Sequence, residues 1–379
     1  MESAGGGRRA AVVVNPTKFT DVGRVRRQVG RACGRHGWEE PLWLETTAED
    51  TGTGQTREAL AAGVDLVCAL GGDGTVRTVG AELAGTATPM GLLPGGTGNL
   101  LARNLELPID SLDACLEVAL TGQDMPIDTC LLDLVRPAAT ATGDTTGDTT
   151  GDDAGAADDD RTGEGTAYPR GGLHGEREEH VFLVMAGLGF DAEVMATAPE
   201  KLKARVGWPA YIVSGLQHLK GPQFTVVVKV DGAMPFRRRV RSVMAGNVGK
   251  LQGGMDLLPD ALADDASVDA VLLSPEGVVG WAATIAQLST RRRFGHSRVD
   301  HVQGQDVRVV CDRPVAVEID GDPIGEATAM RVVVQPGNLV VRVPGSGRRR
   351  ARRDIDALSD EQQHPLPQPH HDGRVSHRG

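Results

Sequence analysis

The sequence predicts two domains: an α/β domain with a doubly wound parallel sheet, followed by an antiparallel β-sandwich domain. Over residues 8–127 apolar runs alternate with helical patterns, which is typical of a parallel sheet. Over residues 128–345 the apolar runs are short, some alternate with period two, and Asp-Gly pairs mark turns between them. A chain of 379 residues is long enough for two hydrophobic cores.

Strands and helices of the first domain follow one another in a regular order. Apolar runs predict strands at residues 10–14, 42–45, 64–70 and 89–93. Helical spacing of apolar residues predicts helices at residues 22–36, 56–62, 75–83 and 111–120. Each strand therefore leads through a loop into a helix, and ligands in such sheets bind at the carboxyl ends of the strands.

The second domain is predicted to consist mainly of strands. They lie at residues 128–135, 182–185, 224–230, 239–245, 268–273, 307–311, 315–319, 330–334 and 339–343. Two helical patterns interrupt them, at residues 199–219 and 275–288. This arrangement favours a sandwich of two antiparallel sheets.

Two segments lack the apolar residues that a folded core requires. Residues 137–179 hold 11 acidic and 3 basic residues, which gives a net charge of −8. Such a segment cannot offset the entropy cost of ordering, so a disordered acidic insertion is predicted. Residues 346–379, rich in Arg, Pro, His and Gln, are predicted to form a disordered tail. The net charge of the whole chain is −11, so most of it belongs to the insertion.

Composition excludes several classes of function. Aromatic residues make up 3 % of the chain, which argues against a stacking platform for single-stranded nucleic acid, and no nucleic-acid partner is expected. The five cysteines form no Cys-x-x-Cys pair, which excludes a zinc ribbon and fits a reducing compartment. No apolar stretch approaches 18 residues, and the N-terminus carries no secretory signal, so a cytoplasmic location is expected.

The strongest chemical signal is a glycine-rich loop, LGGDGTVRTVG, at residues 70–80. Three glycines surround Asp73 where a buried strand leads into a helix, so backbone N–H groups can approach an anion at the helix N-terminus. The loop is not the GxGxxG motif, because Arg77 stands at the third glycine position, and no Walker motif occurs in the chain. We therefore predict a phosphate-binding loop that belongs to neither of these two motif types.

A second glycine loop, PGGTGN, follows the next strand at residues 94–99. Thr97 and Asn99 add uncharged hydrogen-bonding groups to it. Two such loops at neighbouring strand ends can face one crevice, so together they indicate one phosphate-binding site.

An acidic turn, EIDGDP, lies at residues 318–323 near the end of the second domain. Asp320 follows an apolar strand and stands two residues before Asp322. Taken alone, an Asp-Gly pair at this place is most simply a hairpin turn. The two phosphate loops favour a catalytic role, because phosphoryl transfer needs a residue that orients the nucleophile.

These motifs resemble those of the diacylglycerol kinase catalytic-domain family, which includes bacterial diacylglycerol kinases and sphingosine kinases. The resemblance rests on both glycine loops and the acidic turn, and on three further segments that match in order: VVNPTKF at residues 13–19, AGLGFDAEV at 186–194 and AGNVGKLQGGMDLLPDALADDASVD at 245–269. GGDGT alone is less specific, because NAD kinases and phosphofructokinases carry it too. The ordered set covers the chain apart from the insertion and the tails.

The resemblance implies an ATP- and Mg²⁺-dependent kinase with its active site in the cleft between the two domains. It implies that the ATP site is lined by Asn15, Pro16, Thr17, Lys18, Phe19, Thr46, Gly71, Gly72, Asp73, Gly74, Thr75, Gly96, Thr97, Gly98 and Asn99. It implies a catalytic set of Asp73, Asp320 and Asp322, in which Asp320 is the general base and Asp322 replaces the usual Glu.

The resemblance also implies a Mg²⁺ site at Asp128, Asp264 and Asp265. Two departures bear on metal binding: Leu100 stands where many members have Asp, and Ala266 replaces the Gly that usually follows the paired acids. They motivate one alternative, a non-catalytic lipid- or nucleotide-binding regulator on the same fold.

The expected reaction is phosphorylation of diacylglycerol to phosphatidic acid. A sphingoid base or another lipid alcohol as acceptor, and an NAD kinase-like activity, remain as alternatives. A lipid substrate implies peripheral attachment to the inner face of the membrane, and a homodimer is compatible with the sequence. Arginine and lysine runs at residues 201–205, 237–241 and 291–298 are candidate contacts with anionic lipid, although each is most simply a solvated face.

Overall fold

The computed structural model describes residues 7–137, 175–189, 223–251, 256–274 and 299–345. The helices predicted at 199–219 and 275–288, the tail at 346–379 and residues 138–174 of the predicted insertion lie outside these ranges. Two of the three predicted basic runs, at 201–205 and 291–298, lie outside them as well.

The N-terminal half contains a parallel sheet, as predicted. Its strands are β1 (Ala10–Val14), β2 (Leu42–Glu45), β3 (Leu66–Gly71) and β4 (Met90–Pro94). They lie in the order β2-β1-β3-β4, and every residue of β1 and β3 is buried. The order reverses between β1 and β3, and this reversal creates the crevice in which doubly wound sheets bind ligands.

Helices connect these strands and cover the sheet. They are α1 (Val22–Arg35), α2 (Thr53–Ala61), α3 (Asp73–Leu83), α4 (Leu100–Asn104) and α5 (Leu112–Thr121). Side-chain caps begin two of them: Asp21 Oδ1 accepts the Arg24 N–H at 2.7 Å, and Ser111 Oγ accepts the Ala114 N–H at 3.3 Å. The sequence did not predict α4, because five residues are too few to show a helical period.

The remaining strands form the antiparallel part of the molecule. They are β5 (Gln123–Val135), β6 (Arg177–Phe182), β7 (Met185–Leu188), β8 (Phe224–Val230), β9 (Phe236–Val240), β10 (Ser242–Gly246), β11 (Val268–Leu273), β12 (Val299–Gly304), β13 (Asp306–Ile319) and β14 (Asp322–Val343). Together with the parallel sheet they confirm the predicted fold class, an α/β domain followed by an antiparallel β-sandwich.

Two pairs of predicted strands are single strands in the structure. β13 unites the runs predicted at 307–311 and 315–319, and β14 unites those at 330–334 and 339–343. The pairing register shifts between Val310 and Val315 in β13 and between Gln335 and Leu339 in β14, so bulges replace the predicted breaks. The sequence shows such a bulge only as an interruption of the apolar pattern.

The predicted end of the acidic insertion is wrong. Residues 177–179 belong to β6, which pairs with β5 from Arg177 opposite Val135 to Phe182 opposite Cys130. The acidic side chains in this segment lie on a strand, so their charge concealed its pairing in the sequence.

Helix α3 packs closely against the C-terminal half at Gly80. A Cβ atom at Gly80 would lie 2.5 Å from Leu183 Cδ1 and 3.3 Å from Leu339 Cδ2. Leu183 and Leu339 are buried in the same core as β1 and β3. The absence of a side chain at Gly80 therefore lets the two halves share one core.

We expect Gly80→Ala to lower the free energy of unfolding by about 1–2 kcal/mol, because the added methyl group overpacks this contact. Gly34→Ala on α1 is the matched control, since no atom lies within 4 Å of the place that its methyl group would take and alanine favours the helix. Urea unfolding of both variants measures the difference. Equal stability of the two would contradict the close contact at Gly80.

Candidate active site

Three loops meet at the carboxyl edge of the parallel sheet, where the strand order reverses. The Asn15 N–H donates to the Leu70 carbonyl oxygen at 3.0 Å, and the Gly95 N–H donates to the Gly71 carbonyl oxygen at 3.0 Å. These main-chain bonds hold the loops after β1, β3 and β4 side by side. The structure therefore brings the predicted nucleotide-binding segments together.

The loop after β1 is shaped by Asn15. Its Oδ1 accepts the Thr17 N–H at 3.1 Å and the Thr17 hydroxyl at 2.7 Å, which begins a single 3-10 turn at Pro16–Lys18. Lys18 is exposed, and its Cε lies 3.8 Å from the position that a Cβ atom would take at Gly72. A positive side chain thus stands beside the first glycine loop.

The two glycine loops touch through their backbones. A Cβ atom at Gly96 would lie 2.7 Å from the Gly72 Cα, and one at Gly95 would lie 2.9 Å from the Gly71 Cα and 2.8 Å from Phe19 Cζ. Only glycine permits this approach. The result is a cradle of bare backbone, with the N-terminus of α3 at its edge, which fits a polyphosphate.

Asp73 joins the two loops. Its Oδ1 accepts the Leu100 N–H at 2.6 Å, and a methyl group at Gly98 would collide with its Oδ2. Burial raises the pKa of Asp73, whereas the N–H groups of Leu100 and Asn99 act in the opposite direction. The Asp73 carboxyl group therefore bonds the first residue of α4, a contact that its predicted catalytic role does not include.

Asn99 and Thr46 complete the predicted nucleotide-binding set. Asn99 has a φ of 48°, and its side chain bonds the backbone of Gly96 in both directions, with its Nδ2 donating at 2.9 Å. Thr97, which lies between Gly96 and Asn99 in the chain, is exposed. Thr46 is buried where β2 ends, and its N–H donates to the Val14 carbonyl oxygen at 2.9 Å. Asn99 therefore shapes the second loop, whereas Thr97 lies at the surface.

The acidic turn between β13 and β14 carries Asp320 into the core. Asp320 and Gly321 both have positive φ angles, 51° and 87°, which is the geometry of a tight hairpin turn. The Asp320 N–H donates to the Met185 carbonyl oxygen at 2.9 Å, and its Oδ1 accepts the Met185 N–H at 3.0 Å. Burial raises the pKa of Asp320 to about 7, against the lowering effect of Met185 and Arg77. The segment is thus a hairpin turn, and it carries a buried carboxyl group whose pKa of about 7 lies near neutral pH.

Three further carboxyl groups and one glycine surround this turn. Asp322 Oδ2 lies 3.4 Å from the Cβ position of Gly74, so the turn faces the first glycine loop. Glu318 is buried, and desolvation, with Asp320 and Asp322 adding to it, raises its pKa to about 7. Asp73 also raises the pKa of Asp320. The structure therefore brings together all three predicted catalytic carboxyl groups.

Two residues of this site, Glu318 and Arg77, were not predicted from the sequence to take part in it. Glu318 lies near the end of β13, two residues before Asp320, and this period-two spacing was a signal available in the sequence. Arg77 on α3 donates from Nη1 to the Ile319 carbonyl oxygen at 2.6 Å and from Nη2 to Asp322 Oδ2 at 2.9 Å. It lies one helical turn after Asp73, so both side chains are on the same face of α3, and this spacing could have indicated Arg77 in the sequence.

The predicted Mg²⁺ ligands do not form a metal-binding group. Asp128 Oδ1 accepts the Gly337 N–H and Oδ2 accepts the Ala266 N–H, both at 2.7 Å, so its carboxylate ties two loops together. Asp265 Oδ1 accepts the Ser267 N–H at 3.0 Å, and burial raises the Asp265 pKa. Within the described ranges no three His, Cys, Asp or Glu side chains are placed to hold a metal ion.

The described basic run lies on β9 and the residue that follows it. Arg237, Arg238 and Arg239 are exposed, and Arg238 Nε donates to Asp300 at 2.7 Å. No helix in the described part of the chain is both long and apolar enough to cross a bilayer.

Comparison with known proteins agrees with this geometry. The family model of the diacylglycerol kinase catalytic domain matches residues 9–132, and that of the YegS C-terminal NAD kinase beta sandwich-like domain matches residues 184–343. A crystal structure named as a diacylglycerol kinase from Bacillus anthracis superposes with a TM-score of 0.61 at 16 % identity, covering 89 % of this chain and 98 % of that one. At that identity it supports the fold alone.

Sequence relatives extend over both halves. A probable lipid kinase YegS-like from Pseudomonas syringae pv. tomato is 28 % identical over 327 residues, which is 82 % of this chain and 86 % of the relative. The protein of the same name from Klebsiella pneumoniae is 26 % identical over 300 residues, 76 % of this chain and 80 % of the relative. Both family models, in the expected order, match the two halves that form the site. The chain therefore contains a diacylglycerol kinase catalytic domain followed by a YegS-type C-terminal domain, and it is a kinase similar over both halves to probable lipid kinases.

Proposed function

We propose that this lipid kinase transfers the γ-phosphoryl group of ATP to the hydroxyl group of diacylglycerol, with Asp320 as the general base. One observation carries the assignment: a buried carboxyl with a pKa of about 7 faces the glycine loops at the carboxyl edge of the sheet. A general base is most effective when its pKa lies near the working pH. The choice of diacylglycerol rests on the matched catalytic domain.

The nucleotide side of the proposal rests on backbone rather than on charge. The bare cradle of the two glycine loops and the N-terminus of the 11-residue helix α3 offer N–H groups to phosphate oxygens. Lys18 supplies a positive charge beside them. Mg²⁺ is proposed as part of the MgATP substrate, because metal ions bridge the phosphates in phosphoryl transfer and the described residues form no resident metal site.

In the proposed reaction the lipid hydroxyl group gives its proton to the Asp320 carboxylate. The hydroxyl oxygen forms a bond to the γ-phosphorus, and the bond from that phosphorus to the β,γ-bridging oxygen breaks. The products are ADP and a phosphate monoester of the lipid. Asp320 Oδ1 accepts the Met185 N–H at 3.0 Å, and in the proposed reaction Oδ2 takes the proton.

The acceptor lies in a membrane, so we also propose that the enzyme binds the inner face of the cytoplasmic membrane. The exposed arginines of β9 are candidate contacts, at about 1 kcal/mol for each basic residue near an anionic surface. Sphingoid bases and other lipid alcohols remain alternative acceptors. NAD is a further one, because the matched C-terminal domain is described as NAD kinase-like.

We expect labelled ATP and Mg²⁺ to phosphorylate diacylglycerol in mixed micelles, and Asp320→Asn to lower kcat by about 10²–10⁴-fold because the proton acceptor is lost. The wild-type rate should rise with pH through about 7, as Asp320 becomes ionised. Asp306→Asn, which changes a carboxylate of β13 outside the site, is the matched control and should keep its activity.

The acceptor panel contains diacylglycerol, a sphingoid base, another lipid alcohol and NAD. Transfer to NAD without transfer to any lipid would replace the proposed acceptor class. Nucleotide binding without transfer to any member would support the regulator alternative. An unchanged rate in Asp320→Asn would remove Asp320 as the base.

The same carboxyl group should destabilise the fold at neutral pH. Its folded pKa of about 7 exceeds the ordinary value of about 3.9, so between these two values the folded state keeps a proton that the unfolded state releases. Stability therefore falls as pH rises through this window. Asp320→Asn keeps an oxygen for the Met185 N–H, and we expect it to be about 1–3 kcal/mol more stable than wild type at pH 8, and less so at pH 5.

Asp306→Asn again serves as the control, with the opposite sign. Burial opposes ionisation of Asp306, but hydrogen bonds from Arg308 and Arg331 hold its pKa at about 2, so its ionised form stabilises the fold above that pH. This variant should be less stable than wild type at pH 8. Urea unfolding at pH 5 and pH 8 measures both effects. A less stable Asp320→Asn at pH 8 would contradict the buried, unfavourable charge.

A further inference from the structure

Arg77, one helical turn after Asp73 on α3, contacts the acidic turn through both terminal nitrogens of its guanidinium. Its guanidinium spans the acidic turn: Nη1 donates to the Ile319 carbonyl oxygen at 2.6 Å, and Nη2 donates to Asp322 Oδ2 at 2.9 Å. Nη1 also lies 4.0 Å from Asp320 Oδ2. One side chain of the nucleotide helix α3 thus holds both ends of the turn that carries the proposed base.

The ion pair between Arg77 and Asp322 adds little to the stability of the fold. The Asp322 side chain is 57 % exposed, whereas that of Arg77 is 21 % exposed. Pairs screened to this extent contribute about 0–1 kcal/mol to folding. The bond to the Ile319 carbonyl oxygen is different, because it is partly buried and fixes the backbone immediately before Asp320.

Electrostatics give Arg77 a second connection to Asp320. The titratable and charged groups around Asp320 are Arg77 and Asp73 from α3, Glu318 from β13, Asp322 from β14 and the buried thiol of Cys130 from β5. Of these five, Arg77 alone is positive. It favours the ionised form of Asp320, against burial and against Asp73.

We propose that Arg77 is a positioning residue for phosphoryl transfer, whose forked guanidinium holds the Asp320–Asp322 turn against the nucleotide helix and keeps the carboxylate of Asp320 directed at the phosphate loops. The proposal rests on the assignment of Asp320 as the general base. It needs the guanidinium, since a lysine has one nitrogen and cannot bond the Ile319 carbonyl oxygen and Asp322 as a planar fork.

Arg77→Met and Arg77→Lys test the two parts of this role in the full chain. We expect Arg77→Met to lower kcat about tenfold at pH 8 and about a hundredfold at pH 6, because the loss of the cation moves the ionisation of Asp320 to higher pH. KM for ATP should change by less than about twofold. Arg77→Lys should keep the wild-type pH dependence but recover less than half of kcat, since it restores the charge and not the fork.

Arg57→Met is the matched control. Arg57 also forms a forked pair, donating to Glu82 from Nε at 2.7 Å and from Nη2 at 3.1 Å, on the surface between α2 and α3. Its loss should leave kcat and the pH profile unchanged. Thermal melting of all three variants establishes that each is folded at the assay temperature.

Two measurements that need no enzymatic turnover test the role of Arg77 independently of the proposed reaction. Carboxyl NMR of the full chain gives the Asp320 pKa directly, and hydrogen exchange of the Asp320 N–H reports on the turn, because that group bonds the Met185 carbonyl oxygen. In Arg77→Met the pKa should rise and exchange should quicken. If the wild-type protein phosphorylates no lipid but both changes occur, the proposed acceptor fails and the positioning role stands.

Three outcomes would overturn the role of Arg77. The first is an unchanged Asp320 pKa together with unchanged exchange in Arg77→Met. The second is an equal loss of kcat at pH 6 and pH 8. The third is full recovery of kcat in Arg77→Lys, which would show that charge alone is sufficient.

Discussion

The architecture depends on the main-chain hydrogen bonding of one long strand. β14 runs for 22 residues, pairs antiparallel with β13 and β5, and reaches the parallel sheet where Val341 lies beside Met90 of β4. Backbone pairing fixes register as well as proximity, because a shift of one residue would turn every side chain to the other face. The acidic turn at the start of β14 is therefore placed relative to the glycine loops by a continuous sheet.

This placement buries ionisable groups of the site, and their charged forms lower the stability of the core around them. Glu318 near the end of β13 and Asp320 in the turn that follows are both buried, and desolvation raises the pKa of both to about 7. Charged groups that are unfavourable for folding are common at functional sites, because a tuned proton affinity needs a partly dry environment. Asp306, on the same strand, shows the contrast: two arginines satisfy it and hold its pKa at about 2.

Local patterns predicted the parts of the structure that depend on neighbours in the chain. The strands of the parallel sheet and both glycine loops follow from residues within one turn or one strand. The prediction of the insertion failed where a distant contact decides, because residues 177–179 form a strand by pairing with β5. Distant contacts also place Asp128, whose carboxylate accepts the N–H groups of Ala266 and Gly337.

By itself the sequence determined the four strands of the parallel sheet, the two glycine loops and the candidate carboxyl groups, because spacing and side-chain type encode these directly. Only the tertiary structure decided that Asp73 bonds the Leu100 N–H, that Glu318 joins Asp320, and that Arg77 spans the acidic turn from a distance of 242 residues in the chain. The physical reason is that these contacts depend on how α3 and β13 are packed together. Packing follows from the summed burial of many residues, among them Gly80, Leu183 and Leu339, which no local pattern records.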